Sequence, residues 1–421
     1  MTERVKTLAV LVIGALMTVR ALATGDAGAE LMLQADERRA NTRGPLAAAE
    51  ALSPGLASAT TSGLRLSAEL RQTLRVGAGV SLHGNLLLAH ERLEGQRGRD
   101  ASRVNELHGT LDRGAWQWSA GKKVLGWDVG YAFRPNDVVQ QEERRTLLTQ
   151  TPEGRPLLQV EHFVGDAAWS VVWTQPQQWN AAPDDSRGVR ESAAALRVYQ
   201  RDGALDLYGF GRQGRRTGSS VGAAFAWVAT DELELHGSWR AMQQHEGRQF
   251  DAPPALVTTS NPWHQATLGG ASQWLLGAQW TTAQHVSLLA EVWHDGTTLA
   301  DTQWQSWTDR NAALARAAGR GAPALPVAAN LAWQASALQA SSLRRRNAFV
   351  RVAWQDAPWQ LSLDALVMPA DRGRVVTAAL QWQGDRVRLN AAWRRYGGPG
   401  SALAAQLPLR DAALLAASIA F

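Results

Sequence analysis

The 421 residues include no cysteine, and only three of the 43 basic residues are lysines (Lys6, Lys122 and Lys123). Without cysteine there is no disulfide framework, no thiol nucleophile and no cysteine-ligated zinc or iron–sulfur site. Tyrosine is scarce, with 4 residues. No apolar run reaches the roughly 18 residues that a helix needs to cross a bilayer. With 45% apolar and 19% charged residues, evenly spread, the chain is no disordered tail, collagen or coiled coil. What is abundant is tryptophan, with 19 residues. This side chain favours membrane–water interfaces as well as cores.

The N-terminus carries an export pattern. Met1 to Lys6 is short and basic, and Thr7 to Val19 is apolar. Ala21-Leu22-Ala23 then offers a small-residue cleavage site, with Ala27-Gly28-Ala29 as a second option. Residues 1–23 are expected to be a secretory signal peptide and 24–421 a single mature domain. Their removal takes away Arg4, Lys6, Arg20 and Glu3, leaving 40 basic and 37 acidic residues, a net charge of +3. So small an excess argues against a nucleic-acid partner, which normally meets a clustered basic face.

From about residue 62 onwards the chain falls into ten-residue segments of period two. Leu64, Leu66, Ala68 and Leu70 alternate with Arg65, Ser67, Glu69 and Arg71; Val387, Leu389, Ala391 and Trp393 alternate with Arg386, Arg388, Asn390 and Arg394. Such a period places one set on each face of a sheet. Short turn signals at 76–79, 112–115, 165–167, 201–203, 230–231, 283–284, 356–358 and 383–385 mark eight hairpins. The links between the hairpins are mostly longer, notably 127–155, 178–191, 245–270 and 297–344. Short turns on one rim and long loops on the other are the plan of an outer-membrane barrel. The eight hairpins supply sixteen strands, and 29–38 and 411–421 add one each. The expected fold is therefore an all-β transmembrane antiparallel barrel of about 18 strands, with 16 as the alternative.

The tryptophans fit that plan. Trp116, Trp169, Trp227, Trp280, Trp354, Trp359 and Trp382 lie near short turns, while Trp127, Trp179, Trp239, Trp293 and Trp393 lie towards the opposite strand ends. Two such bands match the aromatic girdles of a barrel, with Trp116, Trp169, Trp239, Trp354, Trp359 and Trp393 as its main candidates. The final run Ala413, Leu415, Ala417, Ile419, Phe421 ends on an aromatic residue. It resembles the C-terminal signature that barrel-assembly machinery reads. The mature chain as a whole resembles the porin-like barrels of Gram-negative bacteria. Its strand count is similar to the eighteen-stranded alginate-export and substrate-specific porin families, and Gly121 to Asp137 resembles a glycine-rich loop of such barrels. The resemblance implies an outer-membrane location and a diffusion or export channel.

If the apolar set faces lipid, the partner set faces the lumen. Pore-lining candidates are Arg65, Glu69, Arg71, Glu106, Lys123, Arg197, Glu234, Arg240, Arg351, Asp364, Arg388 and Arg394, with His83, His108, Glu161, Asp206 and Glu291 on the same face. Arginine rows would attract anions such as phosphates or uronate carboxylates, although the same residues could only brace a hydrated wall. Constriction candidates come from two loops. Loop 127–155 holds Asp128, Arg134, Asp137, Glu142, Glu143, Arg144 and Arg145. In 301–318, Trp304, Trp307, Leu314, Ala315 and Ala318 recur at helical spacing, and this loop either folds inward or caps the rim. Arg344-Arg345-Arg346 stands where lipopolysaccharide phosphates would sit.

No G-x-S-x-G, H-E-x-x-H or P-loop occurs, and the nine histidines are scattered one per segment. No enzymatic activity, cofactor or metal is expected. The expected partners are outer-membrane lipid and lipopolysaccharide, the assembly machinery through Phe421, and, on the export reading, a periplasmic exporter. Two functions remain: a channel for passage or export of polar, anionic or oligosaccharide solutes, and a non-conducting barrel that scaffolds an export system or surface polymer.

Overall fold

Closure of the sheet is the first feature that the strand register establishes. The computed structural model describes residues 26–58, 61–140, 145–148, 151–175 and 191–421. The signal-peptide segment 1–23, Trp179, Glu142, Glu143 and Arg144 lie outside the described residues. The strands are β1 (Asp26–Ala40), β2 (Ser62–Gly77), β3 (Val80–Leu93), β4 (Arg99–Arg113), β5 (Trp116–Lys123), β6 (Arg155–Val164) and β7 (Ala167–Thr174). They continue as β8 (Ala193–Asp202), β9 (Leu205–Gly214), β10 (Gly218–Val228), β11 (Leu233–Met242), β12 (His245–Phe250), β13 (Trp263–Leu268) and β14 (Ala271–Thr281). The last six are β15 (Val286–Asp295), β16 (Arg346–Asp356), β17 (Trp359–Met368), β18 (Gly373–Gln383), β19 (Val387–Gly397) and β20 (Leu409–Ala420).

Every strand except β12 and β13 joins one 18-stranded antiparallel sheet, in which each strand pairs with its neighbours along the chain. The seam is β1 against β20, in register from Glu30 opposite Ala420 to Arg39 opposite Asp411, with a one-residue shift before Ala40 opposite Leu409. Phe421 seals it by donating its N–H to the Ala29 carbonyl at 2.9 Å. A closed sheet leaves no free edge strand, so each strand finds backbone partners on both sides along the paired stretches. All eight expected short turns are present. At two of them Gly165 (φ 54°) and Gly203 (φ 58°) take the left-handed conformation that the tight reversal needs.

Alternation sorts the wall. Leu64, Leu158, Val171, Leu196, Val221, Leu276, Leu363 and Leu415 are exposed on the outer face. Trp116, Trp239, Trp354, Trp359 and Trp393 share that face, each more than a third exposed, and Trp169 packs edge-on to Trp116 at 5.4 Å. Trp116, Trp169, Trp354 and Trp359 stand near the short turns, and Trp239 and Trp393 near the long loops. Two tryptophans differ from the expected girdle. Trp293, 1% exposed, alternates with outward Val292 and points into the lumen, and Trp127 lies in the loop after β5 and is buried inside the barrel.

At the long-loop end the links pack on one another. Helices α1 (Pro45–Leu52), α2 (Asp301–Gly319) and α3 (Ala324–Gln334) share a core of Ala49, Leu314, Val327, Ala328 and Leu331. Trp304 and Trp307 lie in a second core with Trp263, Leu299, Leu338 and Leu403, residues from three different links. Trp307 Nε1–H donates to the Gln334 carbonyl at 3.0 Å, tying α2 to α3. These two tryptophans therefore hold a cap over the rim instead of reaching into the lumen. Among the described residues no helix is long and apolar enough to cross a membrane.

Candidate functional site: the lumen and its inserted loop

The described residues of the link between β5 and β6 (124–140, 145–148 and 151–154) fold into the barrel. Trp127 packs on the inward residues Leu157, Val172, Ala195 and Phe210 of β6 to β9. Further along, Phe133 stacks on Trp293 with centroids 5.5 Å apart and joins a cluster with Leu275, Leu289 and Phe349 of β14 to β16. Leu147 and Leu148 pack beside Ala392, Leu414 and Ala416 of β19 and β20. The loop thus touches the wall at points well separated around the barrel. The lumen is apolar at these points because it receives an apolar segment, which departs from the usual polar interior of a barrel.

Polar contacts fix the loop between those points. Glu291 on β15, 1% exposed, accepts the N–H of Tyr131 and of Ala132 on its two carboxylate oxygens, both at 2.7 Å. His236 Nε2 on β11 lies 2.9 Å from the same carboxylate. Asn136 Nδ2 donates to Ser238 Oγ (2.8 Å) and to the Trp239 carbonyl (3.0 Å). Arg351 Nη1 meets the Tyr131 hydroxyl at 2.6 Å and Asp364 at 3.3 Å.

The constriction candidates of this loop mainly hold its own shape. Arg134 Nε bonds Asp137 Oδ2 at 2.6 Å and its Nη1 donates to the Gly130 carbonyl. Asp128 accepts the Asn136 N–H, and Asp137 accepts those of Trp127 and Asp128. Arg134 and Asp137 also line the cavity above the loop.

Asn136 explains why β10 has a glycine at its point of contact. A Cβ at Gly222 would lie 1.9 Å from Asn136 Oδ1 and 2.7 Å from the Trp239 carbonyl. Gly222→Ala should therefore lift the loop off β10 and β11 and shift the β10–β11 pairing locally at Trp239, while the barrel stays closed. The expected result is a noisier and larger single-channel conductance with unchanged heat-modifiable gel migration. An unaltered current trace would show that the loop is not seated there.

Other sequence-picked lumen residues fall into local groups. At the seam, Arg71 Nε pairs with Glu69 at 2.9 Å, and Glu30 lies 3.8 Å from both Arg71 and Arg388. Glu69 also accepts from Asn85 (2.6 Å) and from Thr151 of the inserted loop (2.8 Å). Glu106 accepts the Val124 N–H at 3.0 Å where the loop leaves the wall. Lys123 donates to Gln159 (2.8 Å) and Ser119 (3.2 Å). Arg394 Nε donates to Thr377 Oγ1 at 2.8 Å, and Glu234 lies 3.7 Å from His236. Arg65 keeps a buried Nε without a hydrogen-bond partner. Arg197 sits over the rings of Tyr199 and Tyr208 at 5.8 and 5.2 Å. With Glu161, Ser170 and Arg201 it lines a cavity of about 360 Å³ at the short-turn end.

The larger cavity, about 430 Å³, lies at the long-loop end between the inserted loop and the cap. Six arginines line it (Arg134, Arg145, Arg155, Arg212, Arg240 and Arg248) against three carboxylates (Asp137, Glu246 and Asp295). Among the described residues Arg240 has no carboxylate partner: its Nη2 donates to Ser220 Oγ at 3.0 Å and its Nη1 to the Pro135 carbonyl at 3.3 Å. Arg212 is balanced by Glu191 at 3.1 Å. Burial pushes the Glu191 carboxyl up, but bonds from the Thr217 hydroxyl, the Arg216 N–H and Arg212 outweigh it and hold the group below the ordinary carboxylate range. Sequence periodicity picked out Arg240 but not Arg155, Arg212 or Arg248. Arg155 and Arg212 stand at inward strand ends, Arg248 on the loop hairpin β12–β13, and only the fold brings them together.

No protein-family model matches the chain, and no curated protein matches it. Solved structures do. OccAB1 of Acinetobacter baumannii aligns over 95% of this chain and 98% of its own, with a TM-score of 0.55 at 10% identity. OccD3 (OpdP) of Pseudomonas aeruginosa aligns over 96% of this chain and 93% of its own, with a TM-score of 0.53 at 9% identity. At such identities the likeness is one of fold: a closed porin-like barrel.

Proposed function

We propose that this porin-like barrel is a passive channel in the outer membrane of a Gram-negative bacterium, admitting polar solutes that carry negative charge. The observation that supports this reading most directly is the cavity above the inserted loop, where six arginines meet three carboxylates. A mouth with an excess of one sign of charge concentrates the opposite charge and slows like charge. The channel runs on a concentration gradient and needs no cofactor. Phe421, exposed on the outward face of the last strand, is suited to recognition by assembly machinery.

The second reading is a non-conducting barrel that scaffolds a periplasmic exporter or a surface polymer. The contacts of loop 124–154 with wall regions far apart around the barrel favour it. Planar-bilayer recording of the folded protein separates the two. A channel gives discrete current steps and, under a salt gradient, a zero-current potential of the sign for anion preference. A scaffold gives neither.

A further inference from the structure

Outside the lumen, arginines collect on one side of the rim. Arg346 opens β16, Arg374 is the second residue of β18, Arg395 lies two residues before the end of β19, Arg410 is the second residue of β20, and Arg39 is the last but one of β1. All five are exposed at the long-loop ends of their strands. Register turns Arg346, Arg374, Arg395 and Arg39 outward, while Arg410 stands without a register partner at the shift of β20 against β1. Arg346 is opposite His294, which stacks on the outward-facing Trp274 at 6.2 Å. Arg374 is opposite the exposed Val367. Arg395 stands two residues above the outward Trp393, opposite Asp411, and Asp411 is in turn opposite Arg39.

Two carboxylates share this surface. Asp411, 10% exposed at its side chain, lies 2.8 Å from Arg410 and 3.9 Å from Arg395, and exposed Glu37 sits two residues below Arg39. Among the described residues Arg346, Arg374 and Arg39 have no ion-pair partner. The corresponding outward positions on the opposite side are uncharged: Trp173, Ala194, Gln213, Ser219, Ala241 and Ser272, on β7 to β11 and β14. The neighbouring Arg344 and Arg345 do not join the patch. Arg344 is bound to Asp301 (3.1 Å) and Asp371 (3.0 Å), and Arg345 donates to the Thr298 carbonyl.

Exposed guanidinium groups directly above a lipid-facing aromatic band and apolar strand faces match an amphiphile with phosphates on a sugar head and acyl chains below it. Resting on the reading of the barrel as an outer-membrane protein, we propose that the outward rim of β16, β18, β19, β20 and β1 is a binding site for the phosphorylated headgroup of lipopolysaccharide. Arg346, Arg374 and Arg395 hold phosphate oxygens by charge-assisted hydrogen bonds, and the acyl chains lie along Trp393 and the adjoining valines and leucines. The asymmetry gives the barrel one tightly lipid-coated side.

The test titrates the folded full-length barrel, in detergent free of lipopolysaccharide, with lipid A carrying two, one or no phosphates, and reads occupancy by native mass spectrometry. Bisphosphorylated lipid A is expected to bind roughly tenfold more tightly than the dephosphorylated form, as charge-assisted arginine–phosphate pairs require. The combined Arg346→Gln, Arg374→Gln and Arg395→Gln substitutions should erase that preference, and Arg92→Gln on β3 should leave it. Equal affinity across the phosphate series in the unaltered protein overturns the site, whatever the variants do. So does a phosphate preference that survives the triple substitution in a barrel with normal heat-modifiable migration. Because the readout is lipid alone, a barrel that conducts no current while preferring phosphate refutes only the channel.

Discussion

Glu291→Ala should release the inserted loop and raise single-channel conductance at least twofold, with added open-channel noise. The carboxylate is fully buried and accepts two backbone N–H groups of the loop at 2.7 Å. Truncation leaves both donors without a partner at a cost of about 1–3 kcal/mol each, which also weakens the adjoining Phe133–Trp293 contact by letting the segment drift. The strand ladder does not depend on this residue, so the barrel should keep its heat-modifiable migration. Glu291→Gln, which retains one acceptor oxygen, should have the smaller effect. Conductance equal to the unaltered protein in both variants would mean that the loop does not limit the passage.

The second large effect concerns selectivity. Replacing Arg240 and Arg248 together by alanine lowers the excess of positive charge lining the upper cavity from three to one. A unit charge acting on an ion at ~7 Å in a water-like medium contributes ~0.6 kcal/mol, about threefold for the anion and about threefold in the opposite sense for the cation, so each arginine removed should cut the anion-to-cation permeability ratio about sevenfold. Zero-current potentials under a salt gradient should move towards cation preference by the corresponding amount, less at high ionic strength because the charges are screened. Arg240 lies beside Pro135 of the loop and its neighbour Ser220, so the single Arg248→Ala variant on the exposed hairpin separates lost charge from lost packing. A potential unmoved by either change would place ion selection elsewhere.

Much of the architecture was legible because barrel signals are local. Each hairpin turn is written in a few residues, the strands alternate, and 18 strands follow from counting. Helix α2 was also visible, since its apolar spacing between Asp301 and the glycines at 319 and 321 is self-contained. The inserted loop was not. Its length and charge drew attention to Asp128, Arg134 and Asp137, but their partners lie mostly within the loop itself. The residues that seat it are scattered: Glu291, His236, Asn136 and Gly222 are separated by up to 155 positions, the gap between Asn136 and Glu291. Trp293 shows the same limit in a strand. β15 carries apolar residues on both faces, Leu288, Ala290 and Val292 outward and Leu289 and Trp293 inward beside Glu291, so a tryptophan near its long-loop end is read as a lipid anchor until its contact with Phe133 is known. The small hairpin β12–β13 and helices α1 and α3 lie in links whose form is set by packing on other links.

The central claim is that solutes pass through this barrel, with anions favoured. Its most direct test is single-channel recording of the folded, unmodified protein in a planar bilayer under a salt gradient. The account predicts discrete steps above background and a zero-current potential on the anion-selective side. Background current only, from protein shown to be folded and inserted, would contradict it.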